Sequence, residues 1–497
     1  MTVDKRPRKA YIALGSNLGD RISEIERACR EMDARGIRVR RTSSLWETEP
    51  MYVTDQDRFV NGACEVETTL EPLDLLDQLQ DIENSMGRNK VIDKGPRNID
   101  LDILLYEDQV VDHERLKIPH IGIPEREFVL RPLAELIPSK ALYPQNPWKF
   151  TQDYLNELPP SSSSSPLTTL TPLSPSQPPL QAFKSTRKTH VMAILNMTPD
   201  SFSDGGLHPA STQPSLADTI RSFVASGATM IDVGGQSTAP NRPEVTAAEE
   251  LARVLPAIRL IRSIPEARDV LISVDTYRAS VAEAASEAGA DIINDVSAGA
   301  MDADMLPTMA KLGKTVCLMH MRGTPATMSK LNDYSSSSSS SNGSSSGSES
   351  DGPITSAGAL PEELPRPHLT GDGLIPAIAQ ELLERVAAAE AAGVRRWRII
   401  LDPGLGFAKL GEQNLSILRH LHELRSWPGL RGLPWLVGSS RKSFVGKFTG
   451  VSRPADRIWG TAATVAAAVE GGADVVRVHD VKEMGQVVRM SDAIWRY

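Results

Sequence analysis

Cysteine is scarce. Cys29, Cys64 and Cys317 are the only three in 497 residues, far apart and outside any C-x-x-C or Cys/His cluster. That excludes a disulfide framework and a cysteine zinc site, and reads as a protein of a reducing compartment. Positive charge is not in excess: 54 Lys+Arg stand against 63 Asp+Glu, a formal charge of −9. A chain of that balance does not read as a nucleic-acid-coating protein, which leans on surplus cations. No run approaches the about 18 apolar residues of a membrane-spanning helix. The N-terminal MTVDKRPRKAYIALGS turns strand-like by Ala10, too soon for a signal or transit peptide. No G-x-x-x-x-G-K-[ST] occurs, so nucleotide chemistry here is not of the Walker type. The expectation is a cytoplasmic protein without a membrane span or nucleic-acid partner, a mitochondrial location being left open.

What is present fills cores. Hydrophobic residues make up 40%, and at roughly 150 residues per domain the length allows two or three domains. The stretch ELPPSSSSSPLTTLTPLSPSQPPLQAFKS is Pro, Ser, Thr and Leu without periodicity, and reads as a linker over residues 156–186. A second tract, YSSSSSSSNGSSSGSESDGP with its polar extension, reads as a disordered insertion over 334–371. The chain therefore divides into 1–155, the linker, and 187–497.

In the first part, KAYIALGS reads as a strand and RISEIERACREM as a helix capped by Asp20. IRVRRTSSLWETEP and RFVNGACEVETTL read as strands. PLDLLDQLQDIENSMG reads as a helix with Pro72 in its first turn and Gly87 past its end, and IDLDILLY as a strand. Strand, helix, strand, strand, helix, strand fits a ferredoxin-like α+β sandwich. In the second part, eight runs (HVMAILNMT, ATMIDVGG, VLISVDT, ADIINDVS, TVCLMHM, WRIILDPG, PWLVGSS and ADVVRVHD) alternate with alanine-rich amphipathic stretches. That is the count of a (β/α)8 TIM barrel. Each run ends in a polar residue: Asn196, Gln236, Asp275, Asn294, His320, Asp402, Ser440 and His479. Turn chemistry explains Asn and Asp at such places but not His, Lys and Arg, and the C-terminal rim is where barrels carry their sites.

Two constellations carry chemistry. Asp100 and Asp102 are two apart on a strand, so both carboxylates project from one face. Such a pair suits Mg²⁺ with substrate phosphates as further ligands. Arg88 and Arg97 flank it as phosphate clamps. Asn61 and Phe59 suit a flat heterocycle, as does Phe128, and His120 and Arg126 suit phosphates. On the barrel rim, Asp275, Asn294 and Asp402 suit a flat ligand bearing N–H donors, with metal binding as the alternative. Lys442, Arg477 and His479 follow the seventh strand or end the eighth, where barrels commonly bind phosphate.

Residues 10 to about 140 resemble the 6-hydroxymethyl-7,8-dihydropterin pyrophosphokinase family, through AYIALGSNLGD, RFVNGA, GPRNIDLDILL and IPHIGIPEREFVLRPLAEL. The resemblance implies diphosphoryl transfer from ATP to a pterin hydroxymethyl oxygen. Asp100 and Asp102 would hold Mg²⁺, with Arg88 and Arg97 stabilising the transferring group. Asn61 would read the pterin edge, Phe128 stack on its ring, and His120 and Arg126 contact ATP or a moving loop. Some members carry Trp where this chain has Lys94. About residues 188 to 496 resemble dihydropteroate synthase, through HVMAILNMTPDSFSDGG, ISVDT, IINDVS, LMHM, LDPGLGF, SRKS and RVHD in order. This implies condensation of dihydropterin pyrophosphate with 4-aminobenzoate, releasing pyrophosphate. Asp275, Asn294, Asp402 and Lys442 would bind the pterin, with Met319 and Phe407 lining its slot. Asn196 would ligate Mg²⁺; Thr238, Arg477 and His479 would hold pyrophosphate; Ser443 would lie near the 4-aminobenzoate carboxylate. Many members read S-T-R-P where this chain reads Ser237-Thr238-Ala239-Pro240, with Arg242 as the candidate replacement.

Together the two resemble the fungal-type bifunctional folate-synthesis family without the aldolase domain that some relatives place first. That implies homodimers through the barrel and inhibition by sulfonamides. The alternatives are a methyltransferase-type pterin barrel fused to a kinase, and a catalytically decayed scaffold. The phosphate-binding residues at the barrel rim and the intact aspartates favour the two-step enzyme.

Overall fold

A computed structural model describes residues 6–51, 55–87, 95–159, 167–197, 215–236, 244–334 and 373–497. Arg88, Lys94, Thr238, Ala239 and Arg242 lie outside the described residues.

The first part begins with β1 (Arg8–Ser16) and α1 (Arg21–Ala34), the latter capped by Asp20, whose carboxylate accepts the Ser23 N–H at 3.1 Å. The single strand expected over IRVRRTSSLWETEP is two, β2 (Arg38–Thr42) and β3 (Leu45–Thr48), both paired to β4 (Phe59–Thr68). Ser43 and Ser44 break the run, and the Ser43 hydroxyl takes over a pairing role by accepting the Ala63 N–H at 2.9 Å. Then come α2 (Pro72–Ser85) and β5 (Asp100–Tyr106), a small hairpin of β6 (Val111–Asp112) and β7 (Lys117–Ile118), α3 (Glu127–Leu136) and α4 (Thr151–Glu157). The sheet runs β5-β1-β4-β3 in antiparallel pairs, the order of a ferredoxin-like sandwich. One face buries Ile12, Leu14, Leu101 and Ile103 with apolar residues of α1 and α2; the other buries Tyr11, Ala63 and Leu104 with those of α3 and α4.

The linker reading needs correction. From residue 167 the chain is ordered: β8 (Thr168–Thr171) adds to β3, and β9 (Leu180–Gln181) adds to β8. The leucines that broke the segment's polarity are the reason. Leu170 joins the small domain's core, while Leu173 and Leu180 are buried inside the mouth of the second domain. The expected cut at 155 also falls inside α4.

That second domain is an eight-stranded parallel sheet of β10 (His190–Asn196), β11 (Met230–Gly234), β12 (Leu271–Asp275), β13 (Ile292–Asp295), β14 (Thr315–Met319), β15 (Ile399–Asp402), β16 (Leu436–Val437) and β17 (Val475–Val478). Neighbours pair in sequence order from β10 to β15, and β10 also pairs β17, which pairs β16. A parallel bridge between Leu401 and Trp435 closes the barrel. Residues 335–371 of the expected insertion lie outside the described residues. The helix Leu374–Ala391, which follows the serine-rich tract in sequence, belongs to the barrel wall. The insertion's expected first residue does too: Tyr334 is buried, with Arg322 stacked 3.8 Å from its ring centroid.

Side chains on a strand alternate, so each barrel strand sends every second residue inward. The lowest inward layer is Met192, Met230, Leu271, Ile292, Cys317, Ile400, Leu436 and Val475, and Leu173 and Leu180 pack against it from below. The former linker therefore plugs the barrel floor. Leu173→Ala is expected to cost about 2–4 kcal/mol, as for other large-to-small core changes. Chemical unfolding checks this, and a change within about 0.5 kcal/mol, the ordinary range for a surface substitution, would show that the plug carries no weight.

Candidate active sites

In the small domain the register brings the expected residues together. Gly15 of β1 lies opposite Asn61 of β4 on one side and Asp100 of β5 on the other, and Ala13 lies opposite Asp102. A Cβ on Gly15 would sit 3.2 Å from Asn61 Oδ1 and 3.7 Å from Asp100 Cβ, so the absence of a side chain lets these groups approach. Leu101 between the two aspartates points into the opposite core, which fixes both carboxylates on the open face. Arg97 Nη2 lies 3.1 Å from Asp100 Oδ2, and its guanidinium stands 5.5 Å from the Phe59 ring centroid.

Asn17, in the turn after β1, holds this corner: its Oδ1 accepts the Arg97 N–H at 2.8 Å and its own N–H donates to the Arg97 carbonyl at 3.2 Å. Asn61 donates to Thr48 Oγ1 at 2.7 Å. His120 is tethered by its N–H to the Leu104 carbonyl at 2.9 Å. Burial lowers its pKa, with Asp102 opposing and Arg126 adding to the fall, so it enters as a neutral imidazole. Phe128 packs at the edge of the α3 core, with Arg126 5.9 Å from its ring centroid.

The barrel site is the second and third inward layers above the apolar floor. Alternation places Asp232 above Met230, Asn294 above Ile292, Met319 above Cys317, Asp402 above Ile400, and Arg477 above Val475, with Asn196, Asp275, Ser440 and His479 at or near the rim. Arg477 reaches across: its Nε donates to Asp232 Oδ2 at 2.6 Å and its Nη2 to Asp275 Oδ2 at 2.7 Å. Asn294 Nδ2 lies 3.3 Å from the same Asp232 Oδ2. Gly234 leaves room between Asn196 and Asp275, whose oxygens would be 3.6 and 3.7 Å from a Cβ there.

Lys442 donates to the Leu405 carbonyl and stands 4.5 Å from the Phe407 ring centroid. Phe407 packs in a small apolar cluster with Met319, Tyr277 and Val296. Asp402 accepts the Gly404 N–H at 2.7 Å. Ser443 is exposed at the start of the helix Ser443–Thr449.

Electrostatics sharpen the roles. Burial pushes the Asp275 carboxyl up from its usual range, against the pull of Arg477 and with Asp232 adding to the rise. Burial also raises Asp402, with Lys442 opposing, and pulls Lys442 down to about 8. Burial opposes the Arg477 charge, but Asp232 and Asp275 outweigh it and raise its pKa further. The expected phosphate-binding trio of Lys442, Arg477 and His479 therefore differs in charge from a set of three free cations at two residues. Arg477 has already committed Nε and Nη2 to carboxylates. His479 is held down to about 4 by burial, with Arg441 and Arg477 adding, so near neutral pH it carries no charge. Ser440 Oγ accepts the His479 backbone N–H at 3.1 Å and lies 3.0 Å from Nδ1. With the Ser440 proton directed to Nδ1, one of the two directions this pair allows, Nε2–H is left as a donor.

Asp232 joins the site although it is not a strand tip. The alternation Met230, Asp232, Gly234 is the sequence signal that turns it inward. Among the described residues no group of three or more His, Cys, Asp or Glu gathers as a metal cluster. Asp100 and Asp102 nonetheless fit Mg²⁺, which takes one or two carboxylates and fills its shell with phosphate oxygens and water.

The family model described as "Pterin binding enzyme" matches residues 192–344 and 354–479, and that of "7,8-dihydro-6-hydroxymethylpterin-pyrophosphokinase (HPPK)" matches residues 11–138. The chain is 42% identical over 486 residues to "Folic acid synthesis protein fol1" of Pneumocystis carinii, covering 98% of this chain and 60% of that protein. It therefore spans about three-fifths of that relative's length. It is 39% identical over 502 residues to "Folate synthesis bifunctional protein, mitochondrial" of Pisum sativum, covering 99% and 90% respectively. A crystal structure of the Plasmodium falciparum HPPK-DHPS triple mutant with pteroate shares the fold, with a TM-score of 0.75 at 21% identity over 99% of this chain and 96% of that one.

The protonation assignment has a direct check. In a ¹⁵N-edited imidazole spectrum at pH 6, the His479 signal, assigned by its loss in His479→Asn, is expected to show a neutral ring protonated on Nε2. It should titrate only below about pH 5, since burial depresses the pKa from the usual value near 6.5. A charged ring at pH 6 would contradict the assignment.

Proposed function

Since the chain belongs to the family of bifunctional folate-synthesis proteins, we propose that it catalyses two consecutive transfers, one in each domain. The small domain, residues 1–157, transfers diphosphate from ATP to 6-hydroxymethyl-7,8-dihydropterin. The barrel, residues 187–497, condenses the product with 4-aminobenzoate to 7,8-dihydropteroate and releases pyrophosphate. The observation that carries this reading is the barrel's inward polar layer, in which Asp232, Asn294, Asp402 and Arg477 lie above a buried apolar floor.

In the small domain, Asp100 and Asp102 would hold Mg²⁺. The bound ion supplies charge neutralisation between the phosphate oxygens. Arg97 lies beside that charge and stabilises the transferring group, with Arg88 as its expected partner from outside the described residues. Phe59 and Asn61 border the same face and receive the flat heterocycle, with Phe128 at its edge. His120, kept neutral, and Arg126 contact the nucleotide. No covalent intermediate is needed, because the transfer rests on alignment and charge stabilisation.

In the barrel, a pterin offers amide and amino N–H groups, and the acceptors that meet them are Asp275, Asp402 and the Asn294 carbonyl. Met319 and Phe407 line the slot, and Lys442 covers it. As the exocyclic C–O bond breaks, positive charge grows on the pterin and the surrounding carboxylates stabilise it. His479 Nε2–H, the remaining Arg477 donors and Thr238 hold the departing diphosphate. Asn196 offers one neutral oxygen, so it would hold Mg²⁺ only when diphosphate supplies the other ligands. Ser443, exposed at the start of the helix Ser443–Thr449, would meet the 4-aminobenzoate carboxylate. No helix of the described residues is long and apolar enough to cross a membrane.

Asp102→Asn is expected to lower ATP-dependent diphosphorylation on the order of 10²-fold or more, in line with loss of one transition-state electrostatic partner. Dihydropteroate formation from supplied dihydropterin pyrophosphate and 4-aminobenzoate should stay at the wild-type rate. Loss of both activities in a folded variant would contradict separate sites.

A further inference from the structure

The loop after β15 carries Asp402 at its start and Phe407 near its end, and it runs tightly over the tip of β14. Gly404 has φ of 67° and Gly406 of 77°. A Cβ on Gly404 would stand 2.0 Å from the His320 carbonyl oxygen. A loop pressed so closely onto a neighbouring strand end needs something to hold it there, because two positive-φ glycines flanking Leu405 carry high backbone freedom.

Lys409 supplies that hold. Its Nζ donates to the Phe407 carbonyl at 2.9 Å and lies 2.9 Å from His320 Nδ1. His320 is 2% exposed, and its Nε2 lies 2.9 Å from Glu381 Oε2. Arg322 Nε in turn donates to Glu381 Oε1 at 2.9 Å. The proton positions follow from this geometry. Lys409 donates to Nδ1, so the ring proton sits on Nε2 and goes to the carboxylate. Burial keeps the ring neutral, at about 4, and Glu381 stays ionised, at about 2, because His320 and Arg322 outweigh its burial. Lys409 itself is pulled down to about 7 by burial, but amine and ammonium alike can donate both bonds. Tyr334 adds a second tie: its hydroxyl donates to the Ala408 carbonyl at 3.2 Å.

We propose that Lys409 is a positioning residue of the barrel site, latching the 403–408 loop onto the buried His320–Glu381 pair so that Phe407 faces Met319 across the slot. This rests on the reading of that slot as the pterin site. Nothing in the latch requires Lys409 to touch the substrate. Its effect falls on the loop's order and, through it, on capture of the flat ring.

The test uses the full chain with Lys409→Met, His320→Gln and His320→Asn. An Asn amide oxygen stands near the place of Nδ1 and keeps an acceptor for Lys409, whereas a Gln amide stands near Nε2 and keeps only the Glu381 contact. Hydrogen exchange of the 404–408 amides reads the loop without any substrate. Exchange should quicken about tenfold or more in Lys409→Met and His320→Gln, and change little in His320→Asn. In turnover, the KM for dihydropterin pyrophosphate should rise about 10- to 100-fold in the first two, with kcat and the KM for 4-aminobenzoate within about threefold.

Unchanged loop exchange in Lys409→Met overturns the latch, as does equal impairment by His320→Asn and His320→Gln, which would mark a packing role. If Lys409→Met does not fold, the histidine pair decides. If the wild-type barrel does not turn over these substrates, the functional reading falls while the exchange data still judge the latch.

Discussion

Arg477 suspended between Asp232 and Asp275 is the contact on which the barrel site depends. Three strands must be in register for it to form, since the two carboxylates come from β11 and β12 and the guanidinium from β17. Asp232 is fully buried, so the contact lies where charge is costly without a partner. Removing one member of such a buried pair typically costs about 3–5 kcal/mol, because the other is left uncompensated. The same arrangement sets the chemistry: acceptors outnumber cations in the centre, while uncommitted donors sit at the rim. The apolar floor is what makes these charges strong. Leu173 and Leu180 pack with the barrel's lowest inward layer, so apolar side chains underlie the polar layer.

The other end of the barrel has a structural task. Glu26 of α1 accepts from Trp397 Nε1 at 3.0 Å and from Arg398 Nε and Nη2 at 2.6 and 2.7 Å. Arg395 pairs with Asp33 at 2.9 Å, and the Arg396 N–H donates to Thr42 Oγ1 at 2.9 Å. These residues immediately precede β15, and Trp397 is buried in the small domain's core cluster. Thr169 and Gln177 add bonds to the Gly432 and Asp269 carbonyls, just ahead of β16 and β12. The small domain thus docks on the strand N-termini, while the barrel site opens at the C-termini. On the proposed function, the diphosphate made in one domain leaves it before entering the other.

Much of this was legible in the sequence wherever a residue's role followed from local pattern. The eight strand tips were found because apolar runs ending in polar residues are unusual, and the Asp100–Asp102 pair because a two-residue spacing fixes a common face. What escaped was set by distant partners. Asp232 sits one layer below a tip: the alternation Met230, Asp232, Gly234 turns it inward, but its role shows in its pairing with Arg477, 245 residues on. The Pro/Ser segment looked like a linker because its leucines have no period; they are placed by a barrel mouth that the segment itself does not encode. Trp397 reads as part of a strand run, yet it fills the core of the other domain. Arg88 and Thr238 fall outside the described residues, so their expected roles stay with the proposal.

The central claim is that one chain holds two independent sites joined by a diphosphate that crosses solvent. Complementation tests it most directly. Chains carrying Asp102→Asn are mixed with chains carrying Asp402→Asn and given 6-hydroxymethyl-7,8-dihydropterin, ATP and 4-aminobenzoate. The account predicts that each variant alone makes little dihydropteroate and that the mixture makes it after a lag, as the intermediate accumulates. A mixture as silent as its components, with the kinase half of one and the synthase half of the other each active in isolation, would contradict it.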